Sequence, residues 1–213
     1  MNSRFSNINL LYAIGIIFVS FKVQIQKYTI MNTNRLSPRL EQALSDQMNT
    51  EDLQSRVYFS YGIWAADKGY GGISNFLFRH AQEERDHAVK FMQYVLNRGG
   101  KPTITALASP GQEPASLTDC FDLVFKHEVD NTTAIYNLVN IAFEEKDWAS
   151  WNFLQWFVKE QIEEETFAMN LIDKLKIAGG DRASDESLFT LDKTLETLPD
   201  DAELAQNATG ANP

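Results

Sequence analysis

The stretch ISNFLFRHAQEERDHAVKFMQY, residues 73–94, decides the fold. Taken at alternating steps of four and three, the period of one helix face, it yields Ile73, Leu77, His80, Glu84, His87, Phe91 and Tyr94. This stripe is apolar at both ends and carries an acid at its middle, with an imidazole one turn to either side. An ionised carboxylate is strongly disfavoured in a core unless something cationic meets it. Either Glu84 belongs to a solvated face, or the core it enters holds a cation.

Three other segments repeat the pattern. One reads Leu40, Leu44, Gln47, Glu51, Ser55, Tyr58, Gly62, Ala65; another Leu117, Phe121, Val124, Glu128, Asn131, Ile135, Leu138, Ala142. The last reads Phe153, Phe157, Gln161, Glu164, Ala168, Leu171, Leu175. Each apolar face is interrupted near its middle by a glutamate. Four such stripes are best explained by a metal site inside a four-helix bundle, and four misassigned faces would have to coincide to mimic it.

Punctuation agrees with four long helices. Ser37-Pro38 offers an N-cap with proline at the first helical position. That helix is expected to run to about Asp67 and to break at Lys68-Gly69-Tyr70-Gly71-Gly72. The second is expected from about Ile73 to Arg98, stopping at Gly99-Gly100. Residues 101–115, with Pro102, Pro110, Gly111 and Pro114, read as an extended crossover. Ser116-x-x-Asp119 is a capping-box-like start for the third helix, which lasts to about Glu144. A turn at Lys146-Asp147 leads into the fourth, ending before Gly179-Gly180. A shorter amphipathic helix runs from Ser184 to about Leu198, and residues 199–213 read as a disordered tail. The fold class is all-α, a ferritin-like four-helix bundle with one long crossover and a short fifth C-terminal helix over residues 36–198.

Composition bounds the function. The chain has 213 residues, of which 44% are apolar, enough for one domain with a substantial core. A net charge of −10 argues against nucleic acid and suits a protein that attracts cations. Cys120 is the single cysteine, so no disulfide framework and no Cys-x-x-Cys motif exists. Three histidines, His80, His87 and His127, suffice only for a site mixed with carboxylates, which suits iron or manganese. Residues 1–30 differ from the rest: the apolar run from Ile8 to Phe21 is too short to span a bilayer and lacks a small-x-small cleavage site. Met31 reads as the true start, with 1–30 an upstream mis-start extension; an export signal is the alternative.

Glu84 and His87, three residues apart, project from one face about a turn apart. Glu-x-x-His is a weak signal alone, because that spacing arises often by chance. Its register with Glu51, Glu128 and Glu164 strengthens it, since a pair of ions about 3.5–4 Å apart needs oxygens from several directions.

The stretches Gln47-Met48-Asn49-Thr50-Glu51, Arg79-His80-Ala81-Gln82-Glu83-Glu84-x-x-His87, Lys126-His127-Glu128 and Asn152-Phe153-Leu154-Gln155-Trp156-Phe157-Val158-x-Glu160-Gln161-x-Glu163-Glu164-Glu165 resemble the bacterial non-haem ferritins. The resemblance implies a ferroxidase and iron store built as a hollow twenty-four-subunit shell. It implies that Glu51, Glu84 and His87 hold a first iron, and that Glu84 bridges to a second held with Glu128 and Glu164. Glu83, Glu160, Glu163 and Glu164 match a third iron site, Gln161 a second-site glutamine, and Tyr58 the tyrosine beside the di-iron centre. Expected partners are Fe2+ with O2 or H2O2 and further copies of the chain, with no nucleic acid and no membrane. The expected compartment is the cytoplasm.

Weighed from the residues alone, Tyr58 lies two turns from Glu51 on one stripe. A phenol there serves electron or proton transfer, or is a core tyrosine satisfied by a carboxylate. His80 reads as a hydrogen-bonded or core histidine, His127 as surface, and Trp148, Trp151 and Trp156 as packing. Glu165 reads as surface within a solvated charge run. Haem is not expected: bacterioferritins carry a methionine just after the bridging glutamate, and here that place is Arg85. The rubrerythrin-like and DNA-protecting mini-ferritin patterns are absent. The reading from another class is an interaction bundle whose acids bind stray cations, which Fe2+-dependent oxygen consumption would separate.

Overall fold

Helices form where the stripes predict them, and the structure, a computed structural model, describes residues 31–197. The expectations for residues 1–30, for 199–213 and for Leu198 lie outside the described residues. The chain divides into two units, Met1–Asn32 and Thr33–Pro213, and every helix described belongs to the second. Four are long: α1 (Pro38–Asp67), α2 (Gly71–Asn97), α3 (Leu117–Glu144) and α4 (Trp148–Ala178). A 3-10 turn, Gly180–Arg182, precedes the short α5 (Asp185–Glu196).

Local chemistry sets the ends. Ser37 accepts a hydrogen bond from the Leu40 amide at 3.0 Å, with Pro38 beginning the first turn of α1. Ser116 accepts from the Asp119 amide at 3.2 Å, while the Asp119 carboxylate accepts from the Ala115 amide at 2.8 Å. Asp147 caps α4 through the Ser150 amide at 3.0 Å, and Ser184 caps α5 through the Ser187 amide at 3.2 Å. α4 stops at Gly179, whose φ of 118° lies in the left-handed region that glycine tolerates.

α1 and α2 form one antiparallel hairpin and α3 and α4 another, joined by the crossover. Asn49 ties the crossover down: its side-chain amide donates to the Thr103 carbonyl at 2.8 Å and accepts from the Thr105 amide at 2.9 Å. α2 begins at Gly71 rather than Ile73, so a pair of glycines expected as a breaker lies inside the helix. A Cβ on Gly72 would collide with the Asp192 carbonyl oxygen of α5. The Asp192 carboxylate also accepts from the Ile73 amide at 2.8 Å. The first turn of α2 lacks an intrahelical partner for that N–H, and α5 supplies one.

The core consists of two apolar halves. One gathers Tyr58, Trp64, Ile73, Leu77, Phe121, Val124, Leu171 and Leu195; the other gathers Leu40, Leu44, Phe91, Val95, Ile135, Leu154 and Phe157. Between them every long helix contributes buried polar residues: Gln47, Glu51, Glu84, His87, Glu128, Asn131, Gln161 and Glu164. Burying a leucine or phenylalanine contributes about 2 kcal/mol, whereas burying a carboxylate costs several. The apolar halves therefore offset a polar layer that destabilises the bundle.

Candidate metal centre

Glu51 comes from α1, Glu83, Glu84 and His87 from α2, Glu128 from α3, and Glu160, Gln161, Glu163 and Glu164 from α4. Glu51 is fully buried, and Glu84, His87, Glu128 and Glu164 are nearly so. Glu51, Glu84 and His87 each place a potential ligand atom within 4.8 Å of the others. Two more groups meet the same condition: Glu83, His87 and Glu160, and His80, Glu83 and Glu164. Glu83 and His87 are thus shared, and the three groups form a continuous run along α2 opposite α1 and α4.

Side-chain amides hold the carboxylates in place. Gln47 donates to Glu51 Oε1 at 2.8 Å and to Asn131 Oδ1 at 2.6 Å, and Asn131 donates to Glu51 Oε2 at 3.3 Å and to Gln161 Oε1 at 3.3 Å. Gln161 then donates to Glu128 Oε2 at 3.3 Å. The Tyr58 hydroxyl donates to Glu128 Oε1. Gln47 and Asn131 lie on the expected stripes but had been given no role. An amide four residues before Glu51 and another three after Glu128 were the available signal.

Burial and mutual repulsion disfavour ionisation of the carboxyls in this layer. Burial, then the charges of Glu51 and Glu128, push the Glu84 carboxyl well above the ordinary range. Burial also raises Glu51, opposed by hydrogen bonds from Glu84, Gln47 and Asn131. Burial and the Glu164 charge carry Glu128 up to about 8, against hydrogen bonds from Tyr58 and Gln161. Burial, with Lys90 and His80 nearby, lowers His87 to about 3, so its ring is neutral and its nitrogen lone pair can ligate. Burial and the Glu128 charge lift the Tyr58 phenol well above its usual value, which keeps its proton on oxygen. Hard oxygens with one neutral imidazole match iron, manganese or zinc, and binding would expel the extra protons.

His80 is closer to this chemistry than a plain core histidine. Its Nε2 lies 3.5 Å from Glu164 Oε2, and its ring packs between Phe76 and Phe167 with centroids 4.2 and 5.1 Å away. Glu163 lies outside the three groups: it pairs with Lys159 at 3.1 Å, one turn back on α4. Glu165 is half-buried rather than on the surface: it accepts from the Thr132 hydroxyl at 2.5 Å, and that hydroxyl accepts from the Gln161 amide at 3.4 Å. His127 is half-buried rather than on the surface, with Nε2 3.4 Å from the Tyr61 hydroxyl. Arg85, standing where a haem ligand would be expected, is paired with Asp52.

Comparison with known proteins places the chain in a family. Residues 41–178 match the family model of the ferritin-like domain. A protein named bacterial non-heme ferritin from Shigella flexneri is 39% identical over 163 residues, covering 76% of this chain and 97% of its own length. One of the same name from Campylobacter jejuni is 35% identical over 144 residues, covering 68% and 86% respectively. Among solved structures, an open pore ferritin from Archaeoglobus fulgidus is similar at a TM-score of 0.73 and 37% identity, covering 77% of this chain and 99% of that one.

Proposed function

Because the chain belongs to the ferritin-like family, we propose that it is an iron-storing ferritin with ferroxidase activity. One observation carries the reading: Glu51, Glu84 and His87 converge at ligand distance within a buried polar layer that Glu128 and Glu164 complete. Divalent iron would offset the cost of burying these carboxylates, which the apolar halves of the core and the amide hydrogen bonds otherwise carry. In this reading Glu51 and His87 hold one Fe2+, Glu84 bridges, and Glu128 with Glu164 holds the second. Gln161, which donates to the Glu128 carboxylate, orients Glu128 beside that second ion.

Two Fe2+ supply two electrons, which with two protons convert O2 to H2O2; peroxide is the alternative oxidant. The protein holds the ions adjacent, so that both electrons are available at one place. Carboxylates favour the Fe3+ product, and the Tyr58 hydroxyl keeps a proton beside Glu128. Oxidised iron then passes by way of Glu83, Glu160 and neighbouring acids to a mineral inside a shell of twenty-four copies. Glu163 belongs to that outward route in this reading, and its Lys159 partner marks it as the outermost member. No haem takes part, because Arg85 offers no ligand to one. No described helix is long and apolar enough to cross a membrane. The reading includes a cytoplasmic site of action, and a lone buried thiol at Cys120 suits a reducing compartment.

Anaerobic titration with Fe2+ followed by admission of oxygen tests the proposal. The expected result is saturation at two ions per chain at the buried site and oxygen uptake proportional to iron. An interaction bundle with stray cations would take up oxygen no faster than iron in buffer alone, and that result would overturn the reading.

A further inference from the structure

Lys90 stands one turn after His87 on α2, at the edge of the Glu83–His87–Glu160 group. Its Nζ lies 3.0 Å from the centre of the Trp156 ring. Trp156 is edge-on to His87, with ring centroids 5.5 Å apart, and precedes Glu160 by one turn on α4. Glu160 Oε1 in turn lies 4.0 Å from His87 Nε2. An ammonium on a ring face is held by the ring quadrupole, so this one does not swing freely into solvent. Half-burial disfavours its charge, and Glu160 supports it. The same charge opposes protonation of His87. A fixed positive charge therefore stands within electrostatic reach of two of the three residues that would hold a cation. The ferroxidase reading leaves it without a role.

We propose that Lys90 is a tethered counter-cation of the Glu83–His87–Glu160 group, clamped by Trp156, and that it weakens the hold of this group on iron. The proposal rests on the ferroxidase reading and assigns the regulation of that route. Without an ion, the ammonium balances part of the carboxylate charge. With one, two cations share the same acids, and the metal is held more loosely than the acids alone would hold it. A group on the way to a mineral works as a stopover only if ions leave it. Among the described residues no lysine is clamped on a ring beside Glu51 or Glu84, and the paired site feels the Lys90 charge only through His87, so it keeps its ions longer.

Zinc, which is redox-inert, titrated into the assembled full-length protein tests this with tryptophan fluorescence and calorimetry. Trp156→Phe identifies the part of the signal that belongs to Trp156 rather than to Trp64, Trp148 or Trp151, and Glu83→Gln with Glu160→Gln identifies the ion that causes it. Lys90→Gln should bind zinc at this group about three- to tenfold more tightly than wild type, with the gap closing as salt is added. Lys90→Arg, which keeps the charge and the ring contact, should match wild type. Unchanged affinity in Lys90→Gln, or equal tightening in Lys90→Arg, would overturn the proposal, the second result pointing to packing instead of charge. Zinc that never reaches Glu83 and Glu160 in any variant would overturn the ferroxidase route as well, which separates the two failures.

Discussion

Replacing Glu128 by glutamine should stabilise the metal-free protein at neutral pH while destroying its activity. The magnitude follows from the carboxyl's position, fully buried opposite Glu164, which moves its pKa from 4.5 to about 8. At about 1.4 kcal/mol per unit, ionising it inside the bundle costs on the order of 5 kcal/mol. Keeping it protonated at pH 7 is cheaper, on the order of 3 kcal/mol. The folded pKa lies above the unfolded one, so the stability linked to this proton is fully present below pH 4.5. It is lost as pH rises through about 8. Glutamine has no proton to lose and is insensitive across that window. Its amide would face the Gln161 amide where a carboxylate now accepts at 3.3 Å, which returns about 1 kcal/mol. The net gain at pH 7 is about 2 kcal/mol, or roughly 4–8 °C in Tm for a chain of this size. Thermal melts of chelator-treated protein at several pH values between 6 and 8.5 measure it, with the gap widening as pH rises. Saturating zinc should reverse the ranking, because only wild type gains the full binding free energy. A metal-free variant less stable than wild type at pH 7 would mean that Glu128 is structurally paired, and the reasoning would fail.

Further outcomes follow from the same geometry. Glu84→Ala should abolish fast iron oxidation, whereas Glu163→Ala, which loses only its Lys159 pair, should leave the first turnover near wild type and alter later ones; stopped-flow absorbance over repeated iron additions decides, and equal damage would remove the hierarchy. Zinc affinity at the paired site should rise with pH up to about 8, accompanied by proton release that calorimetry in buffers of different ionisation enthalpy detects. Gly72→Ala should detach α5, since its Cβ would strike the Asp192 backbone; Asp192→Ala, which leaves the Ile73 amide without its partner, should cost about 1–3 kcal/mol and speed proteolysis within α5. A protease pattern unchanged in both variants would show that α5 is held by other contacts.

The helices were legible because burial on one face imposes a period, and Leu117 through Ala142 on α3 are buried at every expected position. The serine caps at Ser37, Ser116 and Ser184 were legible for a similar reason, since an orphan amide two or three residues away is a local demand. The mid-height acids announced a cation because no apolar core accepts four carboxylates unaided. What the chain could not announce is which atoms meet across helices. Gly72 reads as a breaker until α5 lies against it, and Ser55 takes the stripe position although the more deeply buried polar residue beside it is Gln54. Glu163 and Glu164 are neighbours in sequence with opposite fates, one on Lys159 at the surface and one beside His80 in the core, because successive helical residues point about 100° apart. The Lys90–Trp156 clamp joins residues 66 apart, and no period along either helix encodes it. Periodicity and capping are short-range, so sequence alone determines them here; partners across the bundle depend on the rotation and height of each helix, which only the packing of all four decides.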